Sequence, residues 1–337
     1  MRASRLLLTM EVGAYRYMLF LVARLPSRVA YGLGRMAGDM QYQVESSRRK
    51  MTLKCLELAF GEQFSPKGRI HVVHDYFRLG ACKDLDRLRL AGNGQGLAKL
   101  VKIRGLEHVE NALAQGKGAV IGSAHFGSWE AAAGLFGVLG FPVTMVAYRG
   151  RHRRLSLGQR LVRPRELTRT LLNDVLKHHL QQTQPYIFVN EGTRSMVAVD
   201  AARVLEQNGL IFIAMDAVDS PSRHPNAVPI PFLNGLAFVP TGAIRIAKSS
   251  GAPLFICLIH RSRDWQHQVM EISAPIPTEG DTDEINRYCV KLIEDAVRSE
   301  PAHWRSWFYW TMASLGLLPE EEMKRLVKLG GPPLAWQ

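Results

Sequence analysis

From about residue 101 onward, short apolar runs bounded by glycine alternate with stretches in helical rhythm. This alternation narrows the possible fold more than any other feature of the chain. Val101 to Gly105 is strand-like, Leu106 to Gln115 helical, and Gly118 to Ala124 a buried strand between glycines. A helix over Trp129 to Leu139 and a strand over Val143 to Tyr148 follow. Further strands are expected at Tyr186 to Val189, Leu210 to Met215 and Pro253 to Ile259, with helical stretches at 166–180, 199–207 and 240–249. Strands that alternate with helices assemble into a sheet covered on both faces, so the pattern predicts an α/β fold: a mixed sheet flanked by helices. The chain before this is helical in rhythm throughout. It divides into a helical, membrane-facing N-terminal region, 1–90, and an α/β domain, 91–337, with no internal repeat and no low-complexity tract.

With 47% hydrophobic residues among 337, the chain can bury a sizeable core. Its formal charge of +13 calls for anionic partners. The excess is mostly arginine and sits in two places. Residues 1–50 carry Arg2, Arg5, Arg16, Arg24, Arg28, Arg35, Arg48, Arg49 and Lys50 against Glu11, Asp39 and Glu45, and residues 149–169 carry eight arginines against Glu166. The uncharged run Tyr17 to Ala23 is far short of the roughly 20 apolar residues that a membrane span needs. Apolar residues flanked by arginine suit a segment lying on an anionic bilayer, so a peripheral or monotopic protein on the cytoplasmic side of a membrane is expected. Cys55, Cys82, Cys257 and Cys289 are scattered and form neither a CxxC nor a zinc pattern, which fits reduced thiols.

The chemistry concentrates at residues 118–130, Gly-Ala-Val-Ile-Gly-Ser-Ala-His-Phe-Gly-Ser-Trp-Glu. A strand ending at His125 leaves the imidazole at the carboxyl edge of the sheet, where open α/β sheets place their ligand crevices. Ser128 is placed to cap the following helix, and Glu130 falls in its first turn, where the helix dipole favours a carboxylate. From there Glu130 can accept a hydrogen bond from one imidazole nitrogen and leave the other basic, ready to take a proton from a hydroxyl. A histidine before a helix is more often structural than catalytic. The buried, glycine-bounded strand ahead of this one favours catalysis.

The segment 105–121 followed by His-Phe-Gly-Ser-Trp-Glu (125–130) closely resembles the lipid A biosynthesis (lauroyl/myristoyl) acyltransferases, which usually show His-Phe-Gly-Asn-Trp-Glu, with Ser128 here replacing the asparagine. Arg48-Arg49, Leu58 to Gly61, Tyr148-Arg149, Pro231 to Gly235 with Pro240 to Gly242, and Pro301 to Trp304 with Trp307 extend the resemblance over most of 45–310. It implies a glycerol-phosphate-acyltransferase-like sheet, with His125 as general base and Glu130 as its partner. It also implies a further acid at the end of a later strand, for which two positions compete. Asp216 ends the run Leu-Ile-Phe-Ile-Ala-Met at the expected spacing. Glu191 stands in Glu-Gly-Thr-Arg (191–194), similar to the motif with which glycerol-phosphate acyltransferases contact substrate phosphate. Arg194 and Arg149 are the candidates for holding that phosphate.

The resemblance implies transfer of a fatty acyl chain from acyl carrier protein or coenzyme A to a hydroxyl of a lipid A precursor or related glycolipid. The setting would be the cytoplasmic face of the inner membrane. A lysophospholipid or glycerol-phosphate acyltransferase is the alternative that Glu191 to Arg194 supports. No bound cofactor or metal is expected, the thioester being a co-substrate. The chain lacks Gly-x-Ser-x-Gly, and Gly92-Asn-Gly94-Gln-Gly96 is no dinucleotide fingerprint and reads as a loop. A basic RNA-binding protein is disfavoured, because no RNP motif, zinc finger or helix-turn-helix pattern accompanies the charge.

Overall fold

In a computed structural model of the chain, the described residues are 21, 24–148, 186–189, 194–216, 227–307 and 310. Three helices come first: α1 (Ser27–Val44), α2 (Ser46–Phe60) and α3 (Pro66–Ala98). Ser65 caps α3 by accepting the Gly68 N–H at 3.1 Å, and Pro66 occupies the first turn, where its missing N–H costs nothing. The glycine-rich run 92–96 is not the loop expected from its composition. It ends α3, kinked at Asn93 (φ −158°, ψ 68°), whose side chain accepts the Gly96 N–H at 2.9 Å and restarts the helix. α1 lies against α3 through Gly38, where any Cβ would overlap the backbone of Arg78.

The chain then alternates β1 (Val101–Arg104), α4 (Leu106–Ala114), β2 (Ala119–Ser123), α5 (Trp129–Val138), β3 (Val143–Tyr148), β4 (Tyr186–Val189), α6 (Arg194–Glu206) and β5 (Leu210–Ala214). The hairpin β6 (Ala227–Phe232) and β7 (Gly235–Pro240), α7 (Gly242–Ser250), β8 (Leu254–Arg261), β9 (Gln268–Ile272) and α8 (Thr282–Ser299) complete the described order. Seven strands form one mixed sheet in the order β1-β9-β8-β2-β5-β3-β4. All its pairings are parallel except β8 with β9, and β6–β7 stand apart as an antiparallel pair. The predicted α/β class and mixed, helix-flanked sheet are therefore those of the protein.

Period-two alternation divides the core. Val120, Ile211, Leu254 and Ile256 face a layer built from α2, α3, α6, α7, α8 and the hairpin. Ala119, Ile121, Leu210, Phe212, Phe255 and Cys257 face α4, α5 and the end of α3. The first layer includes Cys55, Leu56, Phe60 and Phe77 beside Ile244 and Trp304, so the N-terminal helices pack into the same core as the sheet. No helix among the described residues is long and apolar enough to cross a membrane. β9, the hairpin and α8 are elements that the alternation did not predict. Asp281 caps α8, accepting the Asp283 and Glu284 N–H groups at 2.9 and 3.0 Å.

Candidate active site

The sheet builds the site by register. β2 and β5 are parallel neighbours in which Ser123 stands opposite Ala214. The Met215 N–H donates to the Ser123 carbonyl at 2.6 Å, carrying the pairing one step beyond the strands. Two residues past the paired positions, at the carboxyl edge, the chains place His125 and Asp216 side by side. The imidazole Nδ1 lies 2.7 Å from Asp216 Oδ1, and the His125 backbone N–H donates to Asp216 Oδ2 at 3.1 Å.

Asp216 is almost fully buried, its side chain 1% exposed, whereas the His125 side chain is 38% exposed. Burial pushes the Asp216 carboxyl upward, but the His125 imidazole and the donors around it outweigh burial and hold its pKa below the ordinary value. An ionised carboxylate can only accept, so Nδ1 carries the proton and Nε2 keeps its lone pair in the neutral ring. Burial works against the imidazolium as well. The Asp216 charge and hydrogen bond prevail, and the His125 pKa lies above its ordinary value. The Trp129 ring packs edge-on against the imidazole at 4.6 Å between centroids.

A segment remote in sequence closes the pair from behind. Trp304 Nε1–H and Ser306 Oγ–H both donate to Asp216 Oδ2, at 3.0 and 2.6 Å. The Arg305 N–H donates to the His125 carbonyl at 2.8 Å and the Gly127 N–H to the His303 carbonyl at 3.0 Å. Gly127 is required here. Its φ is +56°, and a Cβ would overlap the carbonyl oxygen of Ile259.

The hydrogen-bond partner of the imidazole is thus Asp216 rather than Glu130, which corrects the expected dyad. Glu130 stands in the first turn of α5, on the side that faces α3. Its Oε2 lies 2.9 Å from Arg87 Nε and 3.5 Å from Lys83 Nζ. Burial raises its pKa, but those two cations outweigh that and hold it below the ordinary value. Glu130 therefore bears on His125 only as a nearby charge. Nor does the Ser128 hydroxyl cap α5, although the residue holds the cap position. It donates to the fully buried Asp86, which also accepts from Arg261 and, at 2.7 Å, from the Tyr31 hydroxyl.

A family model for bacterial lipid A biosynthesis acyltransferases matches residues 2–310. The chain belongs to this acyltransferase family. A lipid A biosynthesis lauroyltransferase of Escherichia coli (strain K12) is 28% identical over 120 residues, 36% of this chain. The chain spans 39% of the length of that curated relative. Within this member of the family, His125 and Asp216 are brought together, with Glu130 beside them on its cation pair. Arg149 and Glu191 lie outside the described residues, as does the basic stretch 149–169. Arg194 opens α6, and its backbone alone is described. Of the two acids that competed for the later strand, Asp216 is the one seen at the histidine. Lys83, Arg87 and Ser306 carried no sequence signal, being common residue types whose meaning comes from packing. Trp304 was visible as part of the tryptophan motif, without its contact.

Proposed function

We propose that this protein transfers a fatty acyl chain from a thioester to a hydroxyl of a lipid A-type acceptor, with His125 as general base and Asp216 as the residue that orients it. The observation that carries this reading is a part-exposed imidazole, tethered through Nδ1 to a buried carboxylate, in a chain of the lipid A acyltransferase family. Nε2 takes the acceptor hydroxyl's proton as the oxygen attacks the thioester carbonyl. The tetrahedral oxyanion collapses, the carbon–sulfur bond breaks, and the leaving thiolate takes the proton back from the imidazolium. Ester and free thiol are the products, and no covalent enzyme intermediate is required. Acyl carrier protein and coenzyme A present the same thioester, so both suit this chemistry.

The reaction is proposed to take place at the cytoplasmic face of the inner membrane, with α1 resting on the lipid. Val29, Leu33, Met36, Met40 and Val44 recur at helical spacing on its outward side and are exposed, Met36 and Met40 at 67% and 64%. Arg28 and Arg35 on the same helix, and Arg24 just before it, are exposed too and suit anionic headgroups.

The test is acyl transfer by the purified full chain, with acyl-carrier-protein and acyl-coenzyme A donors offered to a lipid A precursor and, separately, to a lysophospholipid. His125→Ala is expected to lower the rate on the lipid A precursor by on the order of 10²–10⁴, the usual worth of general base catalysis. Near-normal transfer by that variant would refute the mechanism. Transfer to lysophospholipid alone would refute the acceptor.

A further inference from the structure

The segment His303–Ser306 makes four ordered contacts with His125, with Asp216 and with the loop that follows His125. Its backbone forms a short antiparallel bridge with that loop, pairing Phe126 with Trp304, flanked by the Gly127-to-His303 and Arg305-to-His125 hydrogen bonds. Its side chains reach past the loop to Asp216. Trp304 is fully buried and Ser306 is 1% exposed, so neither is available to substrate. Their donors converge on Oδ2, the oxygen that does not meet the imidazole. A carboxylate that accepts several hydrogen bonds on one oxygen is fixed in rotation, and its charge is shared among those donors.

We propose that Ser306 and Trp304 are positioning residues: by engaging Asp216 Oδ2 they fix the direction of Oδ1 toward His125 Nδ1 and set how strongly the carboxylate draws a proton onto the imidazole. This rests on the reading of His125 as the base. The other charged groups bearing on His125 are Glu130 from α5 and Lys83 from α3, whose effects oppose each other. Ser306 is the more informative of the pair, because Ser306→Ala removes one donor and almost no volume.

The experiment is an NMR titration of His125 in the isotope-labelled full chain, wild type against Ser306→Ala and Ser306→Thr, together with the pH profile of acyl transfer. Loss of the donor leaves more of the Asp216 charge to favour the imidazolium. The His125 pKa in Ser306→Ala is therefore expected to rise by a few tenths of a unit, and the acid limb of kcat/KM to move to higher pH by the same amount. The kcat at neutral pH should fall about ten-fold, on the scale of one lost charge-assisted hydrogen bond, with KM for the thioester little changed. Ser306→Thr keeps the hydroxyl and is expected to titrate as wild type does. An unmoved or lowered His125 pKa in folded Ser306→Ala would overturn the proposal, as would Thr shifting like Ala. The titration needs no substrate. A raised His125 pKa in Ser306→Ala, beside a wild type that transfers no acyl group, would sink the proposed function and leave the positioning role standing.

Discussion

At the scale of single residues, two carboxylates stand near one imidazole and their surroundings give them different tasks. Asp216 accepts from Nδ1 and from donors of its own, while Glu130 is taken up by Lys83 and Arg87. Both charges raise the His125 pKa, Asp216 more than Glu130. The base form of His125 is therefore lost, as pH falls, at a value above the ordinary imidazole pKa. Asp216→Asn removes the larger contribution, so the acid limb of kcat/KM should move to lower pH. The plateau should fall by on the order of 10²-fold or more, because an amide no longer fixes the tautomer. Glu130→Gln should move the limb in the same direction but less, and should destabilise the fold by about 1 kcal/mol, because Lys83 and Arg87 lose one carboxylate but keep Asp84, at 3.1 and 3.9 Å. Parallel pH–rate profiles and denaturant titrations check both. A larger limb shift in Glu130→Gln than in Asp216→Asn would return the orienting role to Glu130.

At the scale of elements, the buried strand at 118–124 and the helix after it were legible because glycine boundaries and apolar runs are local signals. The acid that meets His125 was legible only as one of two candidates. Its position depends on β2 and β5 being parallel neighbours in register, which no local pattern encodes. That Glu130 does not hydrogen-bond the imidazole was hidden for a related reason: spacing puts it in the first turn of α5, but the α3 cations that draw its side chain away lie 43 and 47 positions earlier in the chain. The hairpin was hidden by Pro229 and Pro231, residues that a central strand excludes and a separate two-stranded pair tolerates. α1 shows what helical rhythm alone leaves open, since its apolar residues occupy both the buried side at Ala30 and Tyr31 and the outward side at Met36 and Met40. If the outward side rests on lipid, Met36→Glu with Met40→Glu should weaken binding to anionic vesicles about ten-fold or more while leaving the fold intact. Sedimentation with such vesicles measures this, and unchanged binding would remove α1 from the contact.

At the scale of the whole molecule, the helical and α/β portions are joined by a buried charge. Asp86 of α3 is fully buried and accepts from Tyr31 of α1, from Ser128 in the loop before α5, and from Arg261 at the end of β8. The Arg261 guanidinium also lies over the Tyr31 ring at 4.1 Å and donates to the Trp265 carbonyl at 3.0 Å. Burial opposes its charge, yet Asp86 and the groups around it more than compensate and raise its pKa. An ion pair this deep adds little net stability over an apolar pair of the same volume, but removing one partner strands the other. Asp86→Ala should therefore cost about 3–5 kcal/mol and loosen the loop that holds His125, because Ser128 and Arg261 lose their shared acceptor at once. Asp86→Leu combined with Arg261→Met should recover much of that stability without restoring the Ser128 contact, so denaturation midpoints would return toward wild type while acyl transfer stayed reduced. If the double variant regained full activity, the Ser128–Asp86 bond would have no part in seating the loop that holds His125, and the network would serve only to bring α1, α3 and the sheet together.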